Sequence, residues 1–123
     1  MLIIDANAIL RYLLNDNVDM AKAVDELIGQ NKVTIRYEIM AEVVYVLEKV
    51  YILPRNEIKN GIKTFLSLPN VEVETINILM FAFDIYADKK LDFVDCLLYG
   101  FNAIYGYDVF TFDKKLNTLL SKY

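Results

Sequence analysis

Five carboxylates stand where they could act together. Asp5 closes the apolar run MLII at the start of the chain, and Asp113 closes a second run, VFTF, near its end. Asp92 and Asp95 head a long apolar stretch and lie one helical turn apart, so they can face the same side. Glu42 borders the apolar stripe Ile39, Val43, Val46, Leu47 and Val50, where an acid costs free energy unless it is paired. Carboxylates gathered without Arg partners repel and raise at least one pKa unless a cation sits among them. With oxygen donors only, Mg2+ or Mn2+ is the natural cation. Such an ion lowers the pKa of a bound water and stabilises charge on a phosphoryl group, which points to phosphodiester hydrolysis. Singly, each acid has a plainer reading. Asp5 or Asn7, Asp92 and Asp113 each stand where a helix cap would. Only their conjunction carries the chemistry.

The absence of histidine narrows the field further, because it excludes His general acid–base pairs, His metal ligands and every Ser-His-Asp arrangement. The formal charge of −4 is unlike the basic footprint of most nucleic-acid binders. Setting four of the seventeen acids aside for one site leaves thirteen, which the thirteen Lys and Arg match, and a divalent ion would offset the rest locally. The lone Cys96 cannot form an internal disulfide; it fits a reducing, cytoplasmic setting and reads as a small residue on a buried helix. No apolar run approaches the roughly 18 residues a membrane span needs, and the apolar start lacks the basic region of a secretory signal.

The elements that must hold these acids alternate along the chain. Met1–Asp5, Lys32–Arg36 and Val71–Glu74 read as strands, the last an edge strand by its strict alternation. A fourth strand is expected between Gly106 and Asp113. Helices are expected through Leu14, then over Ala21, Val24, Leu27 and Ile28 with Gly29 as the stop. Further helices span Tyr37–Tyr51, the stretch after Pro54 that buries Ile58, Ile62, Phe65 and Leu66, and about Asn77–Ala87. Another runs from Asp92 to a stop at Gly106, and the last passes through Leu116, Leu119 and Leu120. At 123 residues, with no linker or repeat, this predicts one α/β domain over 1–123. It has a short parallel sheet of about four strands flanked by helices on both faces.

The stretches IIDANAILRYLL, AEVVYVLEKVY and LDFVDCLLYGFNAIYGYDVFTFDKKL resemble, in order and spacing, the three acidic motifs of PIN-domain nucleases. The short single-domain form is similar to the VapC-type toxins of toxin–antitoxin pairs. The resemblance implies a Mg2+- or Mn2+-dependent endoribonuclease that cleaves structured RNA such as tRNA or rRNA. By position it makes Asp5, Glu42, Asp95 and Asp113 the catalytic, metal-holding acids, with Asp92 a ligand, an outer partner or a cap. Asn7 takes the polar place that orients Asp5 or a metal-bound water. Thr111 takes the place of a hydroxyl bonded to a neighbouring carboxylate. Two departures, Cys96 in place of the usual Ala and Tyr99 in place of a small residue, imply altered packing. Arg11, Lys114 and Lys115 are the candidate phosphate contacts, with a pairing to a site acid (Arg11) and a solvated helix start (the lysines) as the plainer readings.

Competing readings fail on visible residues. A receiver domain needs an acidic pair after its first strand and an Asp after its middle strand, and a haloacid-dehalogenase-like phosphatase needs Asp-x-Asp where this chain has Asp5-Ala6-Asn7. A PIN-fold module that binds RNA or protein without cutting, and a PIN nuclease that is not a toxin, remain alternatives. The high apolar fraction predicts an exposed patch and a homodimer, and the resemblance to VapC-type toxins implies a cognate antitoxin that covers the acidic crevice.

Overall fold

Short apolar runs feed helix pairs throughout the first part of the chain, and parallel pairing follows because each strand returns only after a long crossover. The computed structural model describes residues 1–120. Strand β1 (Leu2–Ile3) leads into α1 (Ala6–Leu14) and α2 (Val18–Gln30); β2 (Val33–Ile35) leads into α3 (Tyr37–Lys49) and α4 (Arg55–Leu66); β3 (Val71–Val73) closes the set. The sheet is parallel in the order β1-β2-β3, with Leu2 beside Val33 beside Val71, and Ile3 beside Thr34 beside Glu72. Val33, Ile35 and Val71 are buried while Ile3 and Glu72 are exposed, as a period of two requires. The edge position of β3 is the one its alternation predicts.

Local chemistry sets the helix ends. Asn15 takes φ 51° to stop α1, and Asn17 then caps α2 by accepting from the Met20 N–H at 3.0 Å. The expected stop at Gly29 does not occur. Helix α2 runs to Gln30 because Asn31 closes it, its Nδ2 donating to the Leu27 carbonyl at 3.0 Å. Leu27 itself is exposed, while Ala21, Val24 and Ile28 are buried. Pro54 precedes α4, whose buried residues are Ile58, Ile62, Phe65 and Leu66, as spaced in the sequence.

Helix α3 departs from the expected stripe. It buries Met40, Val43, Val44 and Leu47, and leaves Val50 64% exposed. Both stripes satisfy helical spacing, because this helix is apolar on most of its circumference; Met40 and Val44 win the core. The rotation places Glu42 about 150° from the centre of the buried stripe at ~100° per residue, and Glu42 is exposed. A burial cost therefore does not single it out.

The second part of the chain is helical: α5 (Ile76–Asp88), α6 (Phe93–Tyr105) and α7 (Lys114–Leu120). Helix α5 packs on α6 through aromatic rings, Phe83 against Phe93 at 4.6 Å between centroids and Phe81 against Tyr99 at 5.3 Å. Gly100 sits at this contact, where an added methyl would lie 3.4 Å from Ile78 Cγ2 and Phe81 Cδ1. Cys96 is buried with its thiol toward the Leu91 carbonyl, the packing role its helix predicts. Gly106, at φ 72°, ends α6 in a left-handed turn that an L side chain would strain.

The fourth strand does not form, so the sheet has three strands among the described residues. Residues 107–112 are irregular and take local partners instead. Asn102 Nδ2 donates to the Tyr107 carbonyl at 2.9 Å, and Asn117 Nδ2 to the Thr111 carbonyl at 2.8 Å. The alternation of VFTF is strand-like, but a strand exists only when a neighbour takes its backbone groups. By their internal contacts the residues form two compact units, Met1–Glu74 and the part from Thr75 onward. No helix among the described residues is long and apolar enough to cross a membrane.

Candidate active site

Three of the candidate acids share one recess in the second unit. Asp92, Asp95 and Asp113 line a concavity of about 350 Å³ together with Lys90, Leu91, Lys114 and Lys115. Asp92 and Asp95 reach it from the first turn of α6, and Asp113 from the start of α7. Asp95 is the half-buried member. Its carboxyl is pushed above the ordinary aspartate range, first by burial, then by the charge of Asp113, then by that of Asp92. Three carboxylates thus crowd one recess, with Lys90, Lys114 and Lys115 also in its lining, and the half-buried one takes up a proton more readily than an ordinary aspartate.

Their local bonds differ. Asp113 Oδ1 accepts from the Leu116 N–H at 2.8 Å, and its carbonyl accepts from the Asn117 N–H at 3.0 Å, so it caps α7. The Thr111 hydroxyl oxygen accepts from the Asp113 N–H at 3.1 Å, supporting Asp113 through its backbone, not by a bond to a carboxylate. Asp92 occupies the N-cap of α6, yet its side chain makes no capping hydrogen bond. The plain reading of Asp92 as a cap is therefore not realised.

The remaining acids belong to the first unit. Asp5 is exposed between β1 and α1, and its Oδ1 accepts from the Ala8 N–H at 2.8 Å, capping α1. Asn7 is exposed one residue into α1. Glu42 lies on the exposed side of α3. A separate groove of about 610 Å³, formed by α1, α2 and α4, is lined by Tyr12, Val18, Ala21, Phe65 and Leu68 and lies away from both Asp5 and Glu42 in its lining.

The candidate bases separate as well. Arg11 pairs with both carboxylate oxygens of Asp16 at 2.9 Å and donates to the Tyr51 hydroxyl at 3.2 Å. It ties α1 to its own exit and to the end of α3, and the acid it pairs with is none of the candidate ligands. Lys115 Nζ donates to the Lys90 carbonyl at 3.2 Å, while Lys114 lines the recess and is exposed. Lys90 was missed in the sequence; the run KKLD, which puts it two residues before Asp92, was the available signal.

The donor set suits a hard cation, being carboxylate oxygen without histidine. Its charge suits one too, since Asp95 gains a proton more readily than an ordinary aspartate. The acids line the recess without closing on a point: among the described residues no three Asp, Glu or Cys side chains are placed to hold a metal ion as they stand.

A family model described as the PIN domain matches residues 2–119 and so spans both units. No curated protein and no solved structure matches the chain. PIN domains are generally nucleases and generally use divalent metal ions. The α/β chain with its small parallel sheet and acid-lined recess belongs to the PIN-domain family, whose fold is of nuclease type.

Proposed function

We propose that this protein is a metal-dependent endoribonuclease that hydrolyses phosphodiester bonds in RNA of the tRNA or rRNA class, and that it is the toxin of a type II toxin–antitoxin pair. The observation that carries the reading is the recess itself: Asp92, Asp95 and Asp113 line one concavity, with the Asp95 carboxyl raised by burial and then by the charges of Asp113 and Asp92. In this reading Asp92, Asp95 and Asp113 hold Mg2+ or Mn2+ in the second unit, and Asp5 and Glu42 keep the ligand roles that the motif resemblance gives them. The ion supplies Lewis-acid stabilisation of charge on the phosphoryl group. Asp95, half-buried beside Asp113 and Asp92, is the recess acid whose ionised form a bound cation would stabilise most. Asp113 is held in place by its cap and by Thr111. Lys114 contacts phosphate; Arg11, engaged with Asp16 and Tyr51, acts on α1 and not on the substrate. A homodimer, a cognate antitoxin and a cytoplasmic place complete the reading.

Purified protein is expected to cut total tRNA or rRNA into discrete fragments with Mn2+ or Mg2+, and to leave them intact with EDTA or as Asp95→Asn. Intact RNA in every lane would overturn it. The alternative of a PIN-fold module that binds RNA or protein without cutting is favoured by one observation, that no three acids converge on a metal position. RNA binding without cleavage in the same assay would select it.

A further inference from the structure

Helices α1 and α3 carry the two candidate acids of the first unit, and both rise from the same rim of the sheet. Strands β1 and β2 are parallel neighbours with Ile3 beside Thr34, so the helices that follow them start side by side, and they pack on each other. Asp5 stands at the start of α1, its carboxylate directed by the Ala8 N–H at 2.8 Å, and Glu42 rides the second turn of α3. Arg11, one turn after Ala8, ties the two helices together. Its Nη1 donates to both carboxylate oxygens of Asp16 at 2.9 Å, and its Nη2 donates to the Tyr51 hydroxyl at 3.2 Å. A planar guanidinium held on two sides has one orientation. Tyr51 is held in turn. Its N–H donates to the Val46 carbonyl at 3.1 Å, and the Leu53 N–H reaches back to the Leu47 carbonyl at 3.0 Å. Between them Ile52 stands at φ 55°, a left-handed conformation that a β-branched residue adopts only under constraint.

We infer that Arg11 is a positioning residue: through Tyr51 it sets the spread of α1 against α3, and so the separation of the Asp5 and Glu42 carboxylates as metal ligands. This rests on the metal-dependent reading above, and every contact it uses lies within the first unit. A pair of carboxylates serves one cation only at a fixed separation. The strands cannot fix it alone, because β1 has two residues and β2 three, and such short strands leave the directions of the helices after them weakly held. The tether supplies what the sheet lacks. The link to Asp5 is direct, since the turn of α1 that holds its carboxylate through Ala8 is the turn that Arg11 follows. The link to Glu42 runs along α3, whose exit turn presents Tyr51 at the cost of the strain at Ile52.

The test is calorimetric titration of the whole chain with Mn2+, beside urea melts in EDTA. Tyr51→Phe removes one hydroxyl and keeps the ring; Arg11→Lys keeps the charge and loses the fork. Each should weaken Mn2+ binding by about tenfold, the lower end of what outer partners of a metal site carry. Arg55→Gln is the control, because the Arg55 pair with Glu48, at 3.4 Å, ties α3 to α4. It should bind Mn2+ within about twofold of wild type even where its urea midpoint falls, as an independent site does. A merely structural Arg11 would lower the midpoint and leave the Mn2+ affinity of the folded protein unchanged. The inference is overturned if the tether variants bind Mn2+ as tightly as wild type, or if Arg55→Gln loses as much as they do. Either tether variant suffices should the other misfold. Mn2+ binding unchanged in Asp5→Asn but lost in Asp95→Asn would keep the metal at the recess and reject the tether. No Mn2+ binding by the wild-type protein would reject the metal-dependent reading and the tether together.

Discussion

Asp5 and Asp92 hold the same formal position, each immediately before the first turn of a helix that follows an apolar residue. Asp5 behaves as its position suggests: its carboxylate accepts the Ala8 N–H and completes α1. Asp92 makes no such bond, and its charge instead raises the proton affinity of Asp95 one turn on. The two differ in company. Asp5 has no second acid in the first turn of its helix, whereas Asp92 faces Asp95 and Asp113 across one recess. Position at a helix start thus does not decide whether an acid serves the fold or the site. Its use is decided by which other charges the fold brings beside it.

The largest effect should come from the recess. Asp95→Asn is expected to lower RNA cleavage by about a thousandfold or more while leaving the circular dichroism spectrum unchanged. Activity within tenfold of wild type would break the division between recess and cap. Asp113 does both jobs, so its variants should separate them: Asp113→Ala loses cleavage and about 1 kcal/mol of stability, whereas Asp113→Asn loses cleavage and keeps most of the cap. Equal stability losses in urea melts would show that the Leu116 bond is not what the cap contributes.

The comparison between the two helix starts can be sharpened directly. Asp5→Ala should cost about 1 kcal/mol in a urea melt, and Asp92→Ala should stay within about 0.5 kcal/mol of wild type. The smallest effect is a titration. The Asp95 carboxyl, followed by NMR in metal-free protein, should titrate above the ordinary 3.8, and its midpoint should fall more in Asp113→Asn than in Asp92→Asn. In the window between 3.8 and the raised value the folded state binds more protons than the unfolded one. Stability from this group is therefore greatest at low pH and declines as pH rises through that window. A midpoint at or below 3.8 would contradict the crowding of the recess.

Much of this was legible in the sequence where a residue's own chemistry decides the outcome. Asn15 and Gly106 could be read as helix stops, the second because only glycine accepts φ 72° without strain. The buried set of α4 follows from a single clean stripe. What could not be read depends on partners. Helix α3 offers two overlapping stripes, and only packing chose Met40 and Val44 over Val46 and Val50. Residues 107–112 have a strand's alternation but take side-chain amides as partners for their carbonyls. The motif order indicated the acids of the recess; the bond at Asp5 and the missing bond at Asp92 became visible only in three dimensions.

The central claim is that the acids of the recess are arranged for a divalent cation. Calorimetric titration of the protein with Mn2+, compared with Asp95→Asn, tests it most directly. Saturable binding is expected, accompanied by a higher melting temperature, weakening as pH falls into the raised range of Asp95 and lost in the variant. No binding by the wild-type protein, or equal binding by Asp95→Asn, would contradict the account.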